Sequence, residues 1–494
     1  MKSKNDNKEI NNKLLYIPIL ILGINLLIRI INQSKIIKQF PLDLTNDWSS
    51  YIALLHFLKE CGFHNFCPYW YNGFITFKLV APGWYFFSHI INIVINNYLM
   101  TVFISMILIF LLGFLVIYLF REKFDLTIKK SVLFFLLLFG NAAAIGNYIR
   151  LGRLPEFFAF MIFVLFSIII LYYKNKRFDW IILLTIPVYS LLILSHQTVA
   201  FLSSILWISL FLIRKRMDRI KILLLILISL SIDSFWIIPY IKDFYNSAGT
   251  MYPIGVNLLT FSGHYLLENI FTIIIPLIFL WVLWIYLKRK NYEKREILFY
   301  SPIALIAILL LFRIPAFVPI LKYIYPDVFM GFLIFFILFL FFREFEIKRI
   351  YFIGIIIIST ISVLISIFYT PWFIEHTQLE KDTLEIMKDI KTNFLMSDSH
   401  SKTSYGKAYY SYAPIYLNIS TPSGWYKIPS DEYFKKLREF GNSIKDKNCG
   451  LLIENADYLR NDYLISYDKD CDFLESCNLN KINQINNVCL YKFN

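Results

Sequence analysis

Apolar residues in this chain fall in long blocks separated by short polar stretches. Eleven blocks lie near residues 14–32, 98–120, 130–146, 157–173, 180–195, 198–213, 222–240, 270–287, 297–312, 328–342 and 350–369. About 17–25 apolar residues suffice to cross a bilayer as a helix, the form that satisfies every backbone N–H and C=O within the segment. The pattern predicts an all-α polytopic membrane bundle of about 11 spans. Two regions depart from it. Residues 33–97 form a long loop. Within it, 48–60 has helical spacing, with Trp48, Tyr51, Ile52, Leu55 and Leu58 on one side and Ser49, Ser50 and Lys59 elsewhere. That predicts an amphipathic helix lying in the interface. Residues 84–97, opened by Ala81-Pro82-Gly83, predict a second interfacial or re-entrant helix. Beyond Pro371 the chain turns polar, with strand-like runs at 463–467 and 488–491 and helix-like stretches at 378–391 and 431–440. The expected organisation is a transmembrane domain, 1–369, followed by a small α/β domain, 370–494.

Charge decides the orientation. Only 17% of residues are charged, against about 25% in soluble domains, and the net charge is +14. In a soluble protein that excess would suggest nucleic acid. Here Lys and Arg concentrate in alternate short loops, 1–13, 121–129, 174–179, 214–221, 288–296 and 343–349, so the charge reads as topology and no nucleic-acid partner is expected. The N-terminus is expected in the cytoplasm and the tail outside the cell (plasma) membrane. No cleavable signal is apparent. All six cysteines fall on the outer side, Cys61 and Cys67 in the first loop and Cys449, Cys471, Cys477 and Cys489 in the tail. Even numbers in an oxidising space predict a Cys61–Cys67 bridge and one or two bridges in the tail. Zinc is the rival reading, disfavoured because no His lies near the tail cysteines and no CxxC occurs.

Candidate chemistry gathers at the outer face. Asp43 and Asp47 lie just outside the first block, at the start of the 48–60 helix, which also carries His56. Each acid reads either as a helix N-terminal carboxylate or as a general base or metal holder. The short outer loop Asn147–Glu156 holds Arg150, Arg153 and Glu156 against the charge trend. Arg forks suit phosphate, and the alternative is an Arg–Glu pair among head groups. His196 sits at an outer junction, Asp233 inside a span, and Arg313 and Lys322 in a proline-rich outer loop. An intramembrane acid is a functional candidate by default. Asp468-Lys469-Asp470-Cys471-Asp472 imitates a calcium loop, but Phe473 stands where Gly is needed, so it is rejected. No Walker loop is visible. Asn418-Ile419-Ser420 is a glycosylation sequon.

The combined pattern is familiar. A long first outer loop bears an acid and a helix, then Tyr69-Trp70-Tyr71-Asn72-Gly73 and Ala81-Pro82-Gly83-Trp84-Tyr85. Gly152-Arg153-Leu154-Pro155-Glu156, Leu194-Ser195-His196 and Phe235-Trp236-Ile237-Ile238-Pro239 follow. This resembles the GT-C superfamily of membrane glycosyltransferases over nearly the whole chain, and more closely the membrane family labelled "6-pyruvoyl-tetrahydropterin synthase-related". The resemblance implies transfer of a sugar from a polyprenyl-phosphate carrier on the outer face, with membrane lipid around the site. By the resemblance Asp47 is the base or metal ligand, Asp43 its alternate, and Arg150 or Arg153 the phosphate contact. Glu156, His196 and His56 join the substrate-binding set. Relatives often carry an Arg before a late span, where this chain has Pro326-Asp327-Val328-Phe329, so Arg313 or Lys322 would substitute. A divalent metal is the one cofactor this pattern admits. The rival is a non-catalytic or transport protein handling lipid-linked glycans or envelope polymer, which Asp233 would favour.

Overall fold

The computed structural model of the chain describes residues 14–42, 47–247, 254–263, 265–319, 321–345, 349–397, 406–425 and 430–493. Internal contacts divide it into two units. One is drawn from 1–31, 106–237 and 252–371, the other from 32–105, 238–251 and 372–494.

The first unit is helical, and all eleven apolar blocks form helix. Six helices are long and apolar enough to span a bilayer: Tyr16–Lys38, Tyr98–Phe124, Leu154–Asn175, Tyr265–Arg289, Pro326–Glu344 and Ile350–Tyr369. Two bent pairs, Ile128–Phe139 with Ala142–Arg150 (51°) and Arg216–Ile232 with Ser234–Asp243 (74°), raise the number to eight if each is one span. Trp180–Ser195 and Gln197–Leu212 are shorter. The chain is a multi-pass membrane protein.

Helix Tyr16–Gln33 shows why its sequence suits lipid. Leu20, Ile24, Leu27 and Ile31 recur at three- and four-residue spacing and are exposed, while Leu22 and Leu26 are buried. An apolar side chain costs nothing against acyl chains, so this stripe needs no protein cover. Its one charge, Arg29, is buried and donates to the carbonyls of Ser366 (2.7 Å) and Thr370 (2.5 Å) at the end of the last membrane helix. A cation suits the negative end of a helix dipole, which accounts for an arginine inside an apolar block. Leu154–Asn175 is the opposite case: 94% of its apolar window is buried inside the protein. Phe163 packs on Phe332 and Phe335 with ring centroids 5.4 and 5.3 Å apart, and Phe157 on Phe110 at 4.5 Å. Gly331 allows this closeness, since a Cβ there would meet the Phe160 ring at 3.2 Å. At its far end Lys174 is buried in an ion pair with Glu296, which also accepts from the Tyr286 hydroxyl at 2.6 Å.

The second unit joins the first loop to the tail. In the first loop β1 (Phe66–Cys67) pairs antiparallel with β2 (Phe74–Ile75), and in the tail four strands run in the order β3 (Phe394–Met396), β4 (Tyr463–Tyr467), β6 (Val488–Lys492), β5 (Asn480–Ile485). β3 and β4 are parallel and the other pairs antiparallel. Disulfides join Cys449 to Cys477, Cys471 to Cys489, and Cys61 to Cys67. The expected loop bridge and two tail bridges are therefore present. Helix Trp48–Glu60 buries every residue from Trp48 to Leu58, serines included. It is enclosed by protein rather than lying half in solvent, because helix Gly406–Tyr412 and the turn Ala413–Leu417 pack against it. Trp70 is fully buried, and its Nε1–H donates to the Tyr410 carbonyl at 2.8 Å. Asn72 donates to the Leu459 carbonyl at 2.7 Å, and the Thr421 N–H to the Tyr69 carbonyl at 2.7 Å. Helix Gly83–Ile95 buries Trp84, Tyr85, Ser88 and Asn92 and exposes Ile90, Ile93 and Val94, an outward apolar face.

Candidate functional site

Three predicted residues of the helical unit come together. A π-turn, Ile145–Arg150, is followed by Gly152 at φ 74°, a conformation glycine adopts without strain. This reversal turns Asn147 and Arg153 towards one acceptor. Asn147 Nδ2 and Arg153 Nη1 both lie 2.6 Å from Asp327 Oδ2. Pro155 pre-sets the first turn of Leu154–Asn175, and Glu156 occupies that turn, where the dipole favours an acid. Glu156 Oε2 is 3.9 Å from Arg153 Nη1 and 3.9 Å from His196 Nε2. The Arg153 guanidinium also lies over the Tyr325 ring, 4.4 Å from its centroid. Glu268, on the helix starting at Tyr265, is near enough to interact electrostatically with Asp327 and Arg153.

His196 joins two helices, and its Nδ1 is 2.9 Å from the Thr198 hydroxyl. Burial, then the neighbouring Arg153 charge, push its pKa down to about 4. At neutral pH the imidazole is therefore uncharged. One guanidinium then faces the carboxyl groups of Asp327 and Glu156, with Glu268 in electrostatic reach. Such a cluster accepts hydrogen bonds from hydroxyls or holds a cation. It is a poor seat for phosphate, because the charge of Arg153 is already neutralised by Asp327 at contact distance.

The other predicted residues lie elsewhere. Arg150 is buried at the end of the π-turn, close enough to Arg29 to interact with it. Arg313 ends helix Lys294–Leu311 in a left-handed conformation and donates to the Thr272 hydroxyl and, at 2.9 Å, to the Asn269 carbonyl. Burial lowers its pKa. Among the described residues no carboxylate pairs with it, so its charge stays available. Lys322 lies over the Tyr323 ring in the next turn. Asp47 belongs to the second unit, at the N-cap position of Trp48–Glu60. Its carbonyl takes the Ser50 and Tyr51 N–H groups, and its side chain makes no cap bond. His56 on that helix is buried with Nδ1 3.2 Å from the Tyr98 hydroxyl, and burial pushes its pKa down. Asp43 lies outside the described residues. Asp327, Asn147 and Tyr325 are missed by sequence reasoning. Their only signal is an acid in the first turn after Pro326, the mirror of Glu156 after Pro155.

Solved structures supply the comparison. The oligosaccharyltransferase of Archaeoglobus fulgidus, in complex with zinc and sulfate, superposes with TM-score 0.52 and 13% identity over 90% of this chain and 68% of that one. The same archaeal enzyme, AglB, with an inhibitory peptide and a dolichol-phosphate, gives 0.51 and 12% over 90% and 69%. The arabinofuranosyltransferase AftD from Mycobacteria gives 0.55 and 12% over 95% of this chain and 39% of its own length. The fold is that of the GT-C glycosyltransferases. At these identities the likeness extends to fold alone. No family model and no curated relative match the chain.

Among the described residues no three His, Cys, Asp or Glu side chains converge to hold a metal.

Proposed function

We propose that this protein is a membrane glycosyltransferase that moves a sugar from a polyprenyl-phosphate carrier to an acceptor on the outer face. The observation that carries the reading is the GT-C fold, matched over nine-tenths or more of the chain. The finer resemblance, to the family labelled "6-pyruvoyl-tetrahydropterin synthase-related", belongs to the same proposal. So do eleven spans, a cytoplasmic N-terminus, an outer tail and residence in the plasma membrane.

In this reading the Asp47 carboxylate takes the proton of the acceptor. The acceptor oxygen or nitrogen attacks the sugar C1, the C1–O bond to phosphate breaks, and the polyprenyl phosphate leaves with the electron pair. A positioned base of this kind contributes about 10²–10⁴-fold. Arg313, with Lys322 in the next turn, is the group assigned to the charge on the leaving phosphate, because among the described residues no carboxylate pairs with it. Glu156, Asp327 and neutral His196 accept from sugar hydroxyls.

Mass spectrometry of cell-surface glycans, with and without the gene, tests the reading. A glycan should disappear on deletion and return with the wild-type gene but not with Asp47→Asn. The melting temperature of that variant, measured alongside, separates lost chemistry from a lost fold. An unaltered glycan profile on deletion sinks the proposal. Full rescue by Asp47→Asn removes the acid from it.

A further inference from the structure

The transfer reading makes no use of Asp233. This residue stands at the break between Arg216–Ile232 and Ser234–Asp243, where the pair bends by 74°. It is fully buried. Its backbone is spent on the bend: the N–H donates to the Ser229 carbonyl, and the carbonyl accepts from Trp236 and Ile237 at 3.0 and 2.9 Å. Capping therefore does not account for the carboxylate. Oδ1 accepts from the Ser190 hydroxyl at 2.5 Å. Oδ2 is buried and has no hydrogen-bond partner among the described residues. A carboxylate offers about four acceptor sites, and one O–H meets them here. The Tyr189 hydroxyl, on the same helix as Ser190, is near enough to interact with Asp233 electrostatically. No described cation forms an ion pair with Asp233.

A charge at this depth, with one oxygen bare, calls for a positive partner that the chain does not provide. The carbonyl end of Arg216–Ile232 points to the same spot and adds partial negative charge. Broken membrane helices hold small cations with this combination of carboxylate, hydroxyl and unwound carbonyls. We propose that Asp233 and Ser190 form a small-cation site in the bent span, occupied by a proton or by Na⁺. Either occupant places positive charge on Oδ2. Occupancy would tie the break to a neighbouring helix, since Asp233 stands at the break and Ser190 on Thr185–Ser195. This site stands apart from the sugar-transfer reading, and its test involves no transfer activity.

The purified full chain in lipid nanodiscs is compared with Asp233→Asn and Ser190→Ala. Thermal unfolding is followed in NaCl against choline chloride at equal ionic strength, and infrared spectra record the carboxyl region at neutral pH. A melting temperature that rises with the logarithm of NaCl concentration, and is flat in Asp233→Asn, identifies Na⁺. Ser190→Ala should then shift half-saturation to higher NaCl. A protonated-carboxyl band lost in Asp233→Asn, with no sodium dependence, identifies the proton. Neither sodium dependence nor a protonated-carboxyl band in the wild type overturns the proposal. Those wild-type measurements decide it even if Asp233→Asn does not fold.

Discussion

Trp70 fastens the first loop to the tail, and replacing it should release both. The indole is fully buried, meets Phe57 edge-on at 4.8 Å between centroids, and donates to the Tyr410 carbonyl at 2.8 Å. The Gly424 backbone lies against the same ring, so closely that a Cβ there would sit 2.8 Å from it. Trp70→Ala removes the whole side chain, a change that costs about 3–5 kcal/mol in a packed core. It also strands the Tyr410 carbonyl, for about 1–3 kcal/mol more. Because the emptied site partly collapses and admits water, the sum should be about 4–6 kcal/mol. Domain stabilities are about 5–15 kcal/mol, so the variant should lose a large part of this unit's stability. Trp70→Phe keeps most of the buried ring and should lose about 1–3 kcal/mol, the hydrogen-bond part. Pulse proteolysis in increasing urea, read on cleavage between residues 372 and 494, measures both. A Trp70→Ala variant within about 1 kcal/mol of wild type would refute the reasoning, because it would mean that the contacts around Trp70 do not hold the unit together. Equal losses for Phe and Ala would assign the effect to the hydrogen bond and not to burial.

Three further outcomes follow from the helical unit. Asp327→Asn should lower stability by about 2–3 kcal/mol, less than the ~3–5 kcal/mol of a fully buried broken pair, because Glu156 remains 3.9 Å from Arg153; thermal unfolding in nanodiscs measures it. Arg313→Gln should weaken binding of a polyprenyl-phosphate donor about 10–100-fold, the worth of about 1.5–3 kcal/mol for a charge-assisted bond. Arg313→Lys should recover part of that loss in the same titration. His196 has an ordinary value of 6.5 and a folded value of about 4, so the folded state resists its protonation. Its contribution is complete above pH 6.5 and is lost as pH falls towards 4. His196→Gln should flatten that part of a melting-temperature profile, and an unchanged acid-side slope would reject the assignment.

What the sequence reveals here follows from the range of the forces involved. The eleven helical blocks are legible because apolar surroundings force each to satisfy its own backbone. How many cross the bilayer is less legible, since breaks such as Gly140-Asn141 and Asp233 depend on packing. Arg153, Glu156 and His196 stand out as polar residues in short connections between apolar blocks. Asp327 does not, because it is 174 residues from Arg153 and resembles any helix N-terminal acid. The polar strand β5 is an exposed edge with no alternating apolar signal. Cys61 and Cys67 sit close enough in sequence to predict their bridge, whereas four tail cysteines allow three pairings and packing selects one. The enclosure of Trp48–Glu60 could not be read from its own residues, because its cover lies at 406–417.

That separation has a consequence for how the protein is made. Trp70 and Tyr410 are 340 residues apart. At about 5–20 residues per second, a ribosome needs roughly 20–70 s to add that length. By the end of that interval every membrane helix can already have been inserted, while the loop carrying Asp47 still has nothing to close over it. The partner surface for Trp70, Asn72 and Tyr69 emerges only as translation nears its end. A nascent chain thus lacks the cover of its first loop until the last quarter is delivered, and truncations that spare every membrane helix should still lose the shape of that loop.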